Sequence, residues 1–293
     1  TFCVTAIGNN ALSNNTVWDN TAVGASSLQS NTTGSNNTAV GNASLRSNTT
    51  GVRNVALGYL ALCSNITGGY NTAIGYVSLQ NATGAHNTAL GNAVGALITT
   101  GGYNTLLGSG TGFSIVDGNY NVAIGNSVLG SAGASVSNNI ALGCFTMQNA
   151  TADLNIAIGA SALSVSERSS NIAIGYRSQP LTTTGLNVSI GVQSLCKNTT
   201  GNSNTAIGSW SLTSNTTGNF NSALGQASLH DNTTGSCNTA VGFSSLLNNT
   251  TGQYNTAVGI NSLKSSTTGL YNTAVGNDTL SSNISGHNNV ALG

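Results

Sequence analysis

Residues 37–53 read Asn-Thr-Ala-Val-Gly-Asn-Ala-Ser-Leu-Arg-Ser-Asn-Thr-Thr-Gly-Val-Arg, and variants of this stretch fill the chain. Its opening motif, Asn-Thr-Ala-(Val/Ile/Leu)-Gly, recurs eighteen times in full or relaxed form, at steps of 16, 17 or 18 residues. A fixed period of this kind is the signature of a repeat architecture, in which each repeat stacks on the next. We number the positions of the repeat first to seventeenth.

The eighteen copies differ in how strictly each position is kept. Gly occupies the fifth position and an aliphatic residue the fourth in every copy, and Asn occupies the first in seventeen. Ala holds the third position in sixteen copies, where Leu106 and Ser189 are the exceptions. Leu or Met holds the ninth position in fourteen of seventeen complete repeats, and Gly95, Gly112 and Gln179 replace it elsewhere.

This period predicts an all-β fold. Helical repeats need about 33 residues or more, whereas β-branched residues dominate the second position and Gly punctuates each repeat twice. We therefore expect a parallel β-solenoid (β-roll) of about eighteen coils of 16–18 residues, with two short strands per coil, as a single continuous domain over 1–293. Strands stacked about 4.8 Å apart would make a rod roughly 85 Å long. The less regular coils from Asn87 to Leu186 are interpreted as variant turns on the same core.

The alternation of side chains along a strand predicts which positions face the interior. We expect the fourth-position aliphatics and the ninth-position Leu to fill it, and the first-position Asn side chains to stack as a ladder. Ala at the third position then faces outward, which favours close approach of another chain. Ala123, Ala157 and Ala173 are the predicted subunit interface.

Composition argues against several classes of partner. The chain has six basic and six acidic residues, 4% charged residues in all, and no formal net charge. It therefore has no electrostatic footprint for nucleic acid, and it has no apolar run of the roughly 20 residues that a membrane helix needs. We expect no nucleic-acid partner and no membrane insertion.

No catalytic, cofactor-binding or metal-binding residues are predicted, so we expect no enzyme activity and no cofactor. His86, His230 and His287 lack a positioned nucleophile or carboxylate, because His230 and Asp231 would point to opposite faces of a strand. The acidic residues do not recur in register. The segment 108–112, Gly-Ser-Gly-Thr-Gly, lacks the Lys of a phosphate loop.

Five cysteines are present, an odd number. Their spacing in the coil predicts no intrachain disulfide, because even the two nearest in coil count lie almost 10 Å apart. Buried free thiols or interchain bonds are the two interpretations. The cysteines are Cys3, Cys63, Cys144, Cys196 and Cys237.

Asn-x-Thr/Ser sequons recur at one turn of the coil and are candidate glycosylation sites. An equally good explanation is that Asn, Thr and Gly are turn formers. The candidate acceptors are Asn31, Asn48, Asn65, Asn81, Asn149, Asn198, Asn215, Asn232, Asn249 and Asn283.

The motif at residues 155–159, Asn-Ile-Ala-Ile-Gly, resembles the repeats of YadA-like trimeric adhesin heads. The longer repeat, with Ser-Leu and Asn-Thr-Thr-Gly, is similar to repeats of phage and algal-virus fibres. The resemblance covers the whole chain and implies left-handed parallel β-rolls, which in the adhesin heads assemble as trimers.

These observations favour a structural protein that forms a stiff extracellular, cell-surface or virion-surface fibre. The expected partners are further copies of the chain, laterally (as trimers by the resemblance) or end to end, since the first and last strands are close to the consensus. The alternative is an adhesin or receptor-binding fibre head with a cell-surface or glycan receptor, in which the irregular middle coils carry the contact surface. Aromatic residues recur just before the strands and are either adhesive or, as we favour, cover an edge of the solenoid: Tyr70, Tyr103, Tyr120, Phe220, Tyr254 and Tyr271. Ice binding is less favoured, because the strand Thr is expected to point inward.

Overall fold

The structure, a computed structural model, describes residues 3–293 as strands and turns, with no helix among them. Its contacts group the chain into two compact units, one ending at Thr151 and the other spanning Ala152–Gly293. In each unit nine strands form a parallel sheet, with one strand per coil. The predicted parallel β-solenoid is confirmed, and a single continuous domain stays a prediction.

All eighteen copies of the opening motif form strands. The first unit contains β1 (Val4–Ile7), β2 (Asn20–Val23), β3 (Thr38–Val40), β4 (Val55–Leu57), β5 (Thr72–Ile74), β6 (Thr88–Leu90), β7 (Thr105–Ser109), β8 (Val122–Asn126) and β9 (Ile140–Leu142). The sheet of the second unit contains β10 (Ile156–Ile158), β12 (Ile172–Ile174), β14 (Val188–Ile190), β15 (Thr205–Ile207), β16 (Ser222–Leu224), β17 (Thr239–Val241), β18 (Thr256–Val258), β19 (Thr273–Val275) and β20 (Val290–Leu292). A separate pair, β11 (Val165–Ser166) and β13 (Leu181–Thr182), lies in the second unit.

Two strands per coil were expected, and this is wrong outside the β11–β13 pair. The opposite side of each coil consists of turns, because residues there adopt positive φ angles that interrupt an extended strand: 56° at Ala43 and 48° at Leu45. These residues still bond to neighbouring coils, as when the N–H of Leu45 donates to the carbonyl of Ala61 at 3.0 Å. Such hydrogen bonds offset the conformational free energy, roughly 1 kcal/mol or more, that a non-glycine residue loses in the left-handed region of positive φ.

The predicted orientation of the strands is inverted. The third-position Ala faces the interior, and Ala123, Ala157 and Ala173 are fully buried, so they cannot form a subunit interface. The fourth-position aliphatics point outward, with Leu57 44% exposed. The physical reason is the narrow interior: the ninth-position Leu occupies it, and only a small residue fits on the facing strand.

Two asparagine ladders run inside the coils, and the first-position ladder was predicted. The backbone N–H of Asn37 donates to Oδ1 of Asn20 at 2.9 Å, and its Nδ2 donates to the carbonyl oxygen of Gly51 at 2.8 Å. The second ladder, at the twelfth position, was not predicted. There Nδ2 of Asn48 donates to Oδ1 of Asn31 at 2.7 Å and to the same Gly51 oxygen at 3.0 Å. One carbonyl therefore ties both ladders together in each regular coil.

The fifteenth position must be Gly where both ladders are present. A Cβ on Gly51 would lie 2.3 Å from Oδ1 of Asn48 and 2.4 Å from the carbonyl oxygen of Gly68. Distances below 3.0 Å exclude a side chain without movement of the backbone. The Asn and the Gly of the Asn-Thr-Thr-Gly turn are thus the two residues that the second ladder requires.

The irregular coils of the first unit conserve interior volume by exchanging large and small residues. Where Leu106 replaces the third-position Ala, the ninth positions of its own coil and of the preceding coil are Gly112 and Gly95. The twelfth positions of these two coils become Ile115 and Ile98, both fully buried. A Cβ on Gly112 would lie 2.9 Å from Cδ1 of Leu106, so these departures from the consensus compensate one another.

The second unit makes a polar exchange at the same two positions. Ser189 takes the place of Ala, and Gln179 that of Leu, and both are fully buried. Oγ of Ser178 lies 2.5 Å from Oγ of Ser189 and 3.0 Å from Oγ of Ser194. The interior here is held by hydroxyl contacts, and the coil around it departs from the regular turn.

Asn48→Ala tests the second ladder. The substitution removes two donated hydrogen bonds and the one accepted from Asn65, and it leaves buried polar partners unpaired. We expect the free energy of unfolding, measured by urea denaturation, to fall by about 2–4 kcal/mol. Asn42→Ala makes the same change on an exposed side chain of the same coil and should alter it by less than about 0.5 kcal/mol. Equal losses in the two variants would contradict the structural role of the ladder.

A double-mutant cycle tests the volume exchange. Leu106→Ala alone should cost about 2–5 kcal/mol of unfolding free energy by leaving a cavity. Gly112→Leu alone should also destabilise the protein, because the new side chain meets Leu106. The double variant restores the consensus pair, so its loss should fall short of the sum of the single losses by more than about 1 kcal/mol. Additive losses would show that the two positions are independent.

Candidate functional site

The outer face of each sheet combines a column of aliphatic side chains with a column made mostly of Thr, and it carries no charge. Its side chains come from the second and fourth positions, which hold Thr, Val, Ile, Leu and one Ser throughout. Exposed aliphatic residues of this face are Ile7, Val55, Leu57, Leu90, Ile124 and Ile140 in the first unit and Ile158, Ile207, Leu224, Val275, Val290 and Leu292 in the second. A continuous exposed apolar stripe is a mark of an interaction surface.

An aromatic column lies at the seventeenth position of the first unit. The rings of Tyr70, His86, Tyr103 and Tyr120 stack in succession, with centroids 4.8, 4.7 and 4.9 Å apart. Arg53 extends the column, with its guanidinium carbon 5.2 Å from the centre of the Tyr70 ring. These distances match the spacing between coils, so the stacking follows from the repeat itself.

Aromatic stacking is shorter elsewhere. Tyr254 and Tyr271 stack at 4.9 Å in the second unit, while Cys237 separates them from Phe220 at the same position of the repeat. Tyr59 and Tyr76 stack at 5.5 Å on another edge of the first unit. In each stack the ring faces contact one another, and in the aromatic column the Tyr70 hydroxyl also accepts a hydrogen bond from Nη1 of Arg53.

The histidines occupy three different environments. His86 is part of the aromatic column, and Nδ1 of His287 accepts the backbone N–H of Leu270 at 3.0 Å. Nδ1 of His230 lies 2.6 Å from Oδ1 of Asp231. The expectation that these two adjacent side chains diverge is wrong, because the segment is a turn and not a strand.

Groups with metal-binding or nucleophilic chemistry are scattered. Within residues 3–293 no three His, Cys, Asp or Glu side chains come together in a group that could hold a metal ion. The five cysteines are free thiols, of which Cys63 is buried, Cys3 is exposed and the others are half-buried. Burial raises the pKa of the Cys63 thiol, and the charge of Arg46 partly opposes this. A neutral buried thiol is a weak nucleophile.

Seven of the ten candidate acceptor asparagines belong to the second ladder and are buried. Their Nδ2 atoms, to which a glycan would attach, donate hydrogen bonds inside the coil, so glycosylation there is incompatible with this fold. The seven are Asn31, Asn48, Asn65, Asn198, Asn215, Asn232 and Asn249. Asn81 and Asn283 are half-buried and Asn149 is exposed, and for these three glycosylation stays a prediction.

A groove of about 700 Å³ lies on the second unit. It spans three successive coils beside the β11–β13 pair and is lined by Ser161, Ser164, Tyr176, Arg177, Pro180, Leu181, Cys196 and Lys197. The repeat pattern does not predict it. The signal that points to it is the local loss of the Asn-Thr-Thr-Gly turn together with three of the six basic residues, Arg168, Arg177 and Lys197.

Across the described residues, no helix has the length and hydropathy needed to cross a membrane. No protein-family model matches this chain, and no curated protein matches it.

Proposed function

We propose that this chain is a structural repeat protein that builds stiff fibres outside the cell or on a virion, by lateral association with further copies of itself. The observation that carries the proposal is the uncharged apolar outer face of each sheet. The resemblance of its repeat to YadA-like heads and to phage and algal-virus fibres supports the same role.

A second copy of the chain suits this face for a physical reason. Its side chains repeat with the period of the coil, so any copy offers the same spacing and two faces can interdigitate in register, as in steric zippers. The absence of charge at the second and fourth positions removes the repulsion that like charges would impose.

The size of the face favours extended assemblies over isolated pairs. Nine coils about 4.8 Å apart, each contributing a strand about 10 Å wide, give on the order of 400 Å² per unit. Stable interfaces bury about 800 Å² per partner. A contact confined to one unit is therefore weak, and association strengthens as more coils take part.

The proposal includes no enzymatic activity. His86 is held between two tyrosine rings, and the ring nitrogen of His287 bonds to the backbone. His230 and Asp231 form a pair, and no nucleophilic side chain among the described residues is hydrogen-bonded to the His230 ring. The aromatic column is assigned to covering and stiffening an edge of the coils, because both faces of the Tyr70, His86 and Tyr103 rings are already occupied.

Charge on the outer face tests the assembly. We expect Leu57→Glu with Leu90→Glu to reduce the sedimentation coefficient or fibre content of the purified protein by abolishing lateral contacts, with unchanged β-rich circular dichroism. Both leucines are about half exposed, so the fold tolerates the change. Leu97→Glu, at an exposed leucine off this face, is the matched control and should assemble as the unmodified protein does. Assembly that survives the double substitution would refute this interface.

Ice binding is a second candidate, and one observation favours it. The second-position Thr lies on the outer face and not in the interior, so Thr38, Thr72 and Thr88 point to solvent beside the aliphatic column. The argument from sequence against a flat Thr array is therefore wrong. Regular Thr residues on a flat sheet present methyl and hydroxyl groups at a fixed spacing.

This candidate predicts that the protein slows ice recrystallisation. Thr72→Tyr with Thr88→Tyr should then remove the activity by breaking the flatness of the array, while Thr50→Tyr, in an exposed turn, should leave it intact. Crystal size in an annealed frozen solution is the measurement. No effect of the unmodified protein would eliminate this function and leave lateral association untouched.

A further inference from the structure

The groove on the second unit differs from the rest of the surface in its charge. Arg177 and Lys197 both line it and are exposed. They come from successive coils: Arg177 precedes the buried ninth position of its coil, and Lys197 follows that of the next. The chain has only six basic residues, so two in one groove form a local concentration of positive charge.

Neither cation is neutralised by the protein. In the part of the chain that the structure describes, no carboxylate lies within ion-pair distance of Arg177 or Lys197. No acidic residue lines the groove. Two uncompensated cations that line one groove attract an anion more strongly than either does alone, because their potentials add.

The other lining groups suit a sugar ring. Tyr176 is 51% exposed and borders the groove, so its ring offers an apolar surface for packing. Ser161 is half-buried at the same site and supplies a hydroxyl group. A volume of about 700 Å³ lies within the usual range of ligand sites, roughly 300–1,000 Å³. We propose that this groove binds a saccharide that carries a carboxylate or a sulfate, with Arg177 and Lys197 holding the anion and Tyr176 packing against the sugar ring.

The walls of the groove are fixed by the fold. Val165 pairs with Leu181 in the β11–β13 sheet, and the N–H of Val165 donates to the carbonyl of Pro180 at 2.9 Å. Oγ of Ser164 donates to the same carbonyl at 2.8 Å. The local rebuilding of the coil thus gives the groove a hydrogen-bonded floor, and groups already held in place lose less entropy on binding.

Binding is tested by calorimetric titration of the full chain with glucuronic acid, glucose 6-sulfate, glucose and inorganic sulfate. We expect each acidic sugar to bind at least tenfold more tightly than glucose at low ionic strength, with the difference reduced in high salt. Arg177→Gln with Lys197→Gln should abolish this preference. Tyr176→Ala should weaken the acidic sugars at least tenfold and leave inorganic sulfate unchanged.

Two controls separate this site from general electrostatics and from unfolding. Lys264→Gln removes one charge elsewhere in the same unit and should leave all affinities unchanged. In the unmodified protein, bound glucuronic acid should slow alkylation of Cys196, which lines the groove, and not of the equally half-buried Cys237. Unchanged circular dichroism shows that each variant is folded.

Three outcomes would overturn the proposal. They are no binding of either acidic sugar, equal affinity for glucose and glucuronic acid, or a loss of affinity for the acidic sugars in Lys264→Gln as large as that in the Arg177→Gln, Lys197→Gln variant. The proposal does not depend on fibre formation. The groove residues lie outside the second and fourth positions, so the Leu57 and Leu90 variants that test assembly should bind the acidic sugars normally.

Discussion

The glycine carbonyl at the fifteenth position, bonded by two asparagine amides of its own coil, is the interaction on which the regular coils depend. At Gly51 it joins Asn37, at the start of a strand, to Asn48, at the opposite turn. Each amide also connects to the neighbouring coil, so one arrangement closes the coil and stacks it. A buried amide is costly unless it is bonded, and the repeat bonds most of the ladder amides in the same way. Among the described residues, Oδ1 of Asn65 and Oδ1 of Asn249 lack a partner where the next coil has Ala82 or Ser266 in place of the ladder Asn.

The narrow interior that results determines what reaches the surface. With two amide ladders inside, only a strip remains for apolar side chains, and the third-position Ala and the ninth-position Leu fill it. The larger aliphatics of the fourth position are left outside, on a face without charge. The aliphatic side chains on the outer face thus follow from the narrow interior, and lateral association, the first proposed activity of this face, depends on them.

The period, the strands and the first ladder could be predicted from the sequence, because each depends on residues kept in nearly every copy. Which face of each strand points to the interior could not be predicted. Ala at the third position and Val at the fourth are both apolar, and only the width of the interior decides which of them is buried. The second ladder was not predicted because its asparagines, such as Asn48, stand in Asn-x-Thr/Ser sequences. The same local sequence is also that of a glycan acceptor. The groove depends on Pro180, Arg177 and Lys197, each of which stands at a position of the repeat where no other coil has the same residue, so they leave no periodic signal.

The exchanged packing around Leu106 has a consequence for folding. A chain of nearly identical coils can pair a strand with the wrong neighbour and loop out one repeat, since most hydrogen bonds would re-form. Skipping the coil that contains Gly95 would bring Leu106 against a coil whose ninth position is Leu79, where there is no space for it. The irregular coils therefore specify the register of stacking. They destabilise misaligned pairings that the regular coils alone would tolerate.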